Sequence, residues 1–346
     1  VTDAASAGAD ARVLTLAEEV SAAVRSHYGI EPTNLELSER GKDFFASVFR
    51  VFVGAPTPRY VVKVRRAGAA REPAAAVARS LADAGVPGVV APIRSGNGAV
   101  STEAGGISIT VYPFIDGRLG IEMQLSDEAW RGLGRFARRM HETLLPAELA
   151  NIVPRESYRP PGFETVPLVD AAVSRWTAGD EVALRVVELW RDHRDEILTL
   201  TQRAQILGDA LRARSLPLVV CHADMHTGNL IIDSDERVWV VDWDEVVLAP
   251  RERDLMFTVG GGISTALVSP NATARFLEGY GDVDIDAAAL AYYRHSWAVQ
   301  DVGGWAWRVL LDNAASHAQR DEAAEILAGL FRPGEIVDLA ARSAEA

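Results

Sequence analysis

Lysine is almost missing from this chain: of 35 basic residues only Lys42 and Lys63 are lysine, and the rest are arginine. Cysteine is scarcer still. Cys221 is the one present, which excludes an intrachain disulfide and suits a reducing, cytoplasmic setting. No apolar run reaches the ~20 residues that a membrane-spanning helix needs, and no basic stretch followed by a hydrophobic one opens the chain. Positive charge is also short, with 48 acidic against 35 basic residues and a net charge of −13. That balance argues against nucleic acid as a partner, because binding a phosphate polymer needs clustered cations. A membrane is likewise not expected, whereas a small cationic ligand is compatible with the field.

What remains is an ordinary globular composition, 48% hydrophobic and 24% charged over 346 residues, enough for two lobes or one large domain. Its most informative stretch is Cys221-His222-Ala223-Asp224-Met225-His226-Thr227-Gly228-Asn229, with Asp242 thirteen positions beyond Asn229. H-x-D-x-x-x-x-N followed by D is the arrangement of phosphoryl-transfer chemistry of the protein-kinase type. Asp224 would accept the proton of the attacking hydroxyl. Asn229 and Asp242 would hold Mg²⁺ ions that bridge the phosphates. Any one Asp in a polar loop is more often simply solvated. Four such residues in order, with β-prone runs Leu230–Ile232 and Val238–Val241 folding back between them, point to a site. Cys221 ends an apolar run and reads as a small buried hydrophobe, not a reactive thiol.

The scarcity of lysine sharpens Lys63. It lies in Arg59-Tyr60-Val61-Val62-Lys63-Val64-Arg65, a strand-like run similar to the V-A-I-K strand of kinases, where a compact ammonium pairs with the α/β-phosphates. An exposed edge-strand lysine is the plain alternative.

Along the chain, residues 1–11 read as a loose tail, and Leu14 to Tyr28 as an amphipathic helix ended by Gly29. Strands are expected at Val48–Val53, Tyr60–Val64, Val89–Ile93 and Ile107–Tyr112, with a helix over 72–84. Long helical patterns follow at 127–145, 170–212 and 284–312, and Pro154 to Pro167 reads as a surface excursion. The organisation predicted is α+β and two-lobed: a small β-rich N-terminal lobe over 1–111, a hinge at 112–118, and a larger, mainly helical lobe over 119–346.

With those residues in hand, the chain resembles the aminoglycoside phosphotransferase family, over roughly residues 36 to 311. The resemblance runs through Cys221-His222-Ala223-Asp224, Val241-Asp242-Trp243-Asp244-Glu245 and Ala249-Pro250-Arg251-Glu252-Arg253-Asp254-Leu255-Met256-Phe257, the last run being closest to the aminocyclitol-modifying branch. It implies a protein-kinase-like fold and transfer of the γ-phosphate of ATP, with Mg²⁺, to a hydroxyl of a cationic aminoglycoside or spectinomycin-like aminocyclitol, conferring resistance. It also implies that Glu72 pairs with Lys63, although Glu72 suits a helix N-terminus equally well. Asp254 would brace the catalytic loop. Adenine would be read by the carbonyl of Pro113 and the N–H of Ile115, a place where proline's missing donor costs nothing. The loop Gly41-Lys42-Asp43-Phe44-Phe45-Ala46-Ser47 would cover the phosphates, with Ser47 donating to one.

A cationic acceptor needs carboxylates, for which Asp244, Glu245 and Asp301 are the candidates. Asp301 has Trp305 one turn beyond it on an expected helix, a carboxylate beside an aromatic face. A core Trp305 and a solvated Asp301 remain the plain reading. A metabolic kinase of the same fold, acting on choline, homoserine, methylthioribose or a fructosamine, would keep every catalytic residue. A non-catalytic pseudokinase would need none of them.

Overall fold

The computed structural model describes residues 2–38, 46–66, 68, 72–159, 161–260 and 268–343, with side chains from Leu14 onward apart from those of Glu72 and Pro161. In chain order, α1 (Thr2–Tyr28) precedes β1 (Asn34–Leu37), β2 (Ser47–Phe52), β3 (Pro58–Arg66) and α2 (Glu72–Asp83). Then come β4 (Thr102–Ala104), β5 (Ile107–Pro113), β6 (Arg118–Leu119), α3 (Asp127–Glu142), α4 (Ala147–Ala150), α5 (Thr165–Val173), α6 (Glu181–Asp192) and α7 (Arg194–Arg212). β7 (Val219–Cys221), β8 (Leu230–Ile232), β9 (Val238–Val240) and β10 (Val247–Ala249) lead to α8 (Glu252–Leu255), α9 (Pro270–Tyr280), α10 (Ala287–Leu310), α11 (His317–Leu330) and α12 (Ile336–Ser343). The fold is mixed α+β, with an antiparallel N-terminal sheet and a mostly helical remainder. Two compact units divide it: Val1–Arg118, Thr143–Val153 and Ile231–Val246 form the first, and Leu119–Glu142, Pro154–Leu230 and Val247–Ala346 the second.

In the first unit the strands run β1-β2-β3-β5-β4, each antiparallel to its neighbour. Strand side chains alternate between faces. Phe49, Val51, Val62, Val64, Ile109 and Val111 therefore share one face, and Val20, Ala23 and Val24 of α1 close over it as a core. The opposite face of β3 carries Lys63 and Arg65, whose register partners on β5 are Thr110 and Ser108. Helix α1 ends at Tyr28, and Gly29 follows at φ +63, the left-handed turn that terminates helices. Its start corrects the sequence expectation: residues 2–11 are helical, not a loose tail, consistent with their alanine content. Val89–Ile93 is not a strand either. It contributes one parallel bridge, Val89 to Val240, with hydrogen bonds Val90 N–H to Val240 O (3.1 Å) and Val240 N–H to Gly88 O (2.7 Å). That bridge ties the segment bearing β9 into the first unit.

In the second unit α10 is buried along most of its length, packed by α5, α7, α11 and α12. The helical pattern over 170–212 is divided among three helices: α5 stops at Val173, Asp180 caps α6 by accepting from Ala183 N–H (2.9 Å), and His193 separates α6 from α7. The proline-rich 154–167 stretch runs at the surface over much of its length, with Pro154, Arg155, Ser157, Arg159, Glu164 and Pro167 exposed, and is anchored by a few buried residues. Tyr158 is 8% and Val166 0% exposed, and the Tyr158 ring meets Tyr292 edge-on at 5.7 Å. Pro161 opens a 3-10 turn and Pro167 lies in the first turn of α5, where its missing N–H costs little.

Helices α3 and α9 cross at two glycines. A Cβ on Gly134 would overlap the Phe276 carbonyl oxygen, and one on Gly279 the Arg131 carbonyl oxygen, so the backbones touch. This crossing holds the C-terminal ends of both helices, which carry His141 and Tyr280. Gly134→Ala is expected to destabilise the protein by about 1–3 kcal/mol, since backbone cannot move aside as a side chain would. Urea unfolding measures it, and an unchanged midpoint would contradict the close crossing.

Candidate active site

The loop after β7 is built around Asp224. Ala223 stands at φ +66, a conformation that costs a non-glycine residue about 1–3 kcal/mol unless its surroundings hold it. Asn229 donates from Nδ2 to the Asp224 carbonyl (2.8 Å) and to its carboxylate Oδ2 (2.7 Å). His226 reaches the other carboxylate oxygen at 3.4 Å and accepts from Gly228 N–H (3.0 Å), capping the 3-10 turn Thr227–Asn229. The carboxylate is thus oriented from two sides. His222 is fully buried and accepts from Asp224 N–H at 3.3 Å.

Beneath this loop lies the carboxylate of Asp254, on α8 and 0% exposed. It accepts from His222 N–H (2.9 Å) and Ala223 N–H (2.7 Å), and His141 Nε2 approaches at 3.1 Å. The other ring nitrogen of His141 meets the Tyr280 hydroxyl at 2.8 Å. Burial alone would raise the Asp254 carboxyl. The His141 bond, the His141 and His222 rings and the Ala223 N–H outweigh it and hold the group below the ordinary carboxylate range. Cys221 is buried beside Asp254 and His141, their donor atoms lying within 4.8 Å of one another. Its thiol is pushed well up by burial, so it stays protonated and packs as a small hydrophobe. The expected bracing role of Asp254 has here a physical form, and His141 and Tyr280 extend it. Neither was visible in sequence, since each lies far from the motif on an ordinary helix. His226, unassigned from sequence, sits two residues after Asp224, and that proximity was the available signal.

In the first unit Lys63 Nζ donates to Asp242 Oδ1 (2.8 Å) and Asp244 Oδ2 (2.5 Å). Arg65 donates to the same Asp244 oxygen. Burial would depress the Lys63 ammonium, but Asp242 and Asp244 more than compensate and raise it. Asp242 stands at φ +62, two residues after the bridge at Val240, and its side chain is 36% exposed. Trp243 is buried with its indole N–H on Val240 O (3.3 Å). Asp244, expected to meet the acceptor, has its carboxylate on these two cations, and Glu245 is exposed.

Ser47 opens β2 opposite Val64, on the α1 face with Phe49 and Val51, so the pleat does not bring it to the Lys63 face. Gly41 to Phe45 and the Glu72 side chain lie outside the described residues; the Glu72 backbone opens α2. Phe114 N–H bonds Arg59 O (3.0 Å), and strand alternation therefore turns the Pro113 carbonyl and the Ile115 N–H away from β3. On that side β4 reaches only Ile107–Ile109.

Asp301 and Trp305 are both half-buried on α10. Loss of hydration pushes the Asp301 carboxyl up to about 7, with the Trp297 indole and the Arg253 guanidinium offsetting it only in part. Trp297, one turn before Asp301, packs edge-on against Phe257 (5.0 Å), whose ring lies 6.2 Å from that of His226. An aromatic wall thus runs from beside Asp224 to beside Asp301. Asn229 and Asp242 offer hard oxygen donors of the kind Mg²⁺ prefers.

A family model for phosphotransferase enzymes matches residues 46–295. Among solved structures, spectinomycin phosphotransferase in complex with ADP and spectinomycin is similar at TM-score 0.85 and 26% identity, covering 95% of this chain and 98% of that one. Its AMP-bound complex gives 0.80 and 26%, covering 93% and 97%. A choline/ethanolamine kinase family protein from Mesorhizobium loti shares the fold at 0.53 and 18% identity, covering 95% and 99%. No curated protein matches the chain in sequence. The fold is therefore that of the kinase-like aminoglycoside phosphotransferases.

Asp254→Ala is expected to leave two buried loop N–H groups unpaired and to lower stability by about 1–3 kcal/mol or more. Because the folded-state pKa is depressed, this stabilisation is complete above the ordinary carboxylate pKa and lost as pH falls through the folded value. Thermal melts across acid pH should show the variant less acid-sensitive than wild type; equal sensitivity would contradict the brace.

Proposed function

Because the chain belongs to the phosphotransferase enzyme family, we propose that it transfers the γ-phosphate of ATP, with Mg²⁺, to a hydroxyl of a cationic aminocyclitol of the spectinomycin kind. The chemistry rests on the Asp224 carboxylate, oriented by Asn229 and His226 on a loop fixed from below by Asp254. The acceptor class rests on the similarity to spectinomycin phosphotransferase across nearly the whole chain. Inactivation of such an antibiotic, in the cytoplasm where ATP is supplied, is the resistance function this implies.

Asp224 accepts the proton of the attacking hydroxyl as its bond to the γ-phosphorus forms and the bond from that phosphorus to the ADP leaving group breaks. Lys63 pairs with the nucleotide phosphates and Glu72 steadies it. The Pro113 carbonyl and Ile115 N–H read the adenine edge. Asn229 and Asp242 would hold Mg²⁺, which neutralises charge on the phosphates and leaving group. Asp301, with Trp305 and the exposed Glu245, receives ammonium groups of the acceptor; a cation over an aromatic face gains about 0.5–2 kcal/mol.

A phosphorylation screen over spectinomycin, kanamycin, choline and other amino alcohols tests the substrate class. Transfer to choline but to no aminocyclitol would assign the metabolic reading instead. Asp224→Asn is expected to lower kcat by about 10²–10⁴ while nucleotide affinity persists; half the wild-type kcat would place the base elsewhere. For Asp301, ionisation is what attracts the ammonium group. The acceptor KM should therefore fall as pH rises through about 7. Asp301→Asn should raise it about tenfold and flatten that dependence without altering the KM for ATP. A pH dependence surviving in the variant would remove Asp301 from the acceptor site.

A further inference from the structure

Arg65 has no part in the chemistry assigned so far, yet the sheet places it where a nucleotide phosphate would arrive. It stands two residues after Lys63 on β3, so the pleat puts both side chains on the face away from the α1 core. Across the ladder, their partners Thr110 and Ser108 are buried hydroxyl residues. The Lys63 and Arg65 side chains are each only 10% exposed, and both end on one carboxylate oxygen, Oδ2 of Asp244. Two cations thus share one carboxylate oxygen at the site where Lys63 is expected to take a phosphate, and Asp242 is a second carboxylate on Lys63.

Resting on the phosphotransfer reading above, we propose that Arg65 is a second phosphate-binding cation. It exchanges the Asp244 carboxylate for the nucleotide's phosphate oxygens when ATP binds, and Asp244 holds its place beforehand. A triphosphate brings more negative charge than one carboxylate and offers paired oxygens, which the planar guanidinium fork matches bidentately. The ammonium of Lys63 cannot make that two-pronged contact. Asp242, the other carboxylate on Lys63, would be drawn from the same cluster were it to hold Mg²⁺. The simpler alternative is that Arg65 only braces Asp244, and so the segment carrying Asp242.

A double-mutant cycle separates the two. Binding of a non-hydrolysable ATP analogue with Mg²⁺, and of adenosine, is measured calorimetrically without acceptor for wild type, Arg65→Gln, Asp244→Asn and the double variant. Arg65→Lys serves as the charge-conserving control, and thermal melts establish that each variant is folded. Arg65→Gln is expected to weaken the triphosphate analogue at least tenfold in both the wild-type and the Asp244→Asn backgrounds. Adenosine affinity should stay unchanged, and Arg65→Lys should recover part of the loss. If Arg65 only braces Asp244, removing it in the Asp244→Asn background will do nothing further, and the proposal fails. It fails also if adenosine weakens as much as the triphosphate. Wild-type protein that binds neither nucleotide would overturn the phosphotransfer reading itself, whereas an Arg65→Gln variant with wild-type triphosphate affinity would overturn only the role of Arg65.

Discussion

A carboxylate with no exposed surface is a costly thing to fold around, and the loop that carries Asp224 depends on one. Asp254 is tolerable in the interior because His222 N–H, Ala223 N–H and His141 saturate its oxygens. Those two backbone donors are available together because Ala223 adopts the left-handed conformation. The acid and the loop geometry therefore stabilise each other. Asp224, next in the chain, inherits its position from this arrangement, and Asn229 and His226 complete its orientation. The dependence runs further back, through His141 and Tyr280, to the crossing of α3 and α9, where two glycines let backbones touch. Helix packing and the placement of the proposed base are one continuous physical problem.

The first unit handles charge with the same economy. One alternating strand, β3, serves two surfaces: Val62 and Val64 close the core under α1, while Lys63 and Arg65 present cations on the other face. Buried cations need anions, and Asp242 and Asp244 meet them from the segment that follows β9. In a chain of net charge −13 these two buried cations are met locally by two carboxylates.

Much of this was legible in residue order. H-x-D-x-x-x-x-N and the later Asp are fixed-spacing patterns, and β8 and β9 follow from short β-prone runs around a turn. Lys63 stood out because lysine is so rare. Arg65 did not, being one of thirty-three arginines (35 basic residues less two lysines). His141 and Tyr280 looked like ordinary helix residues, since nothing near them in sequence announces a buried acid. The helical pattern over 170–212 concealed two interruptions, because apolar periodicity continues across a break when successive helices bury against the same partner. Pro154 to Pro167 is largely exposed, as its prolines suggest, and only the fold shows that Tyr158, Gly162 and Val166 within it are buried.

Taken alone, then, the order of residues determined the elements with a local period, the motif with a fixed spacing and the class of enzyme. Interactions within a few residues settle these, and they need no knowledge of the rest of the chain. Which carboxylate each cation would find was decided only by tertiary structure. So were the burial of Asp254, the raised carboxyl of Asp301 and its Trp297 neighbour within an aromatic wall. Each depends on water being excluded by elements far away in sequence, and desolvation is a property of the assembled fold.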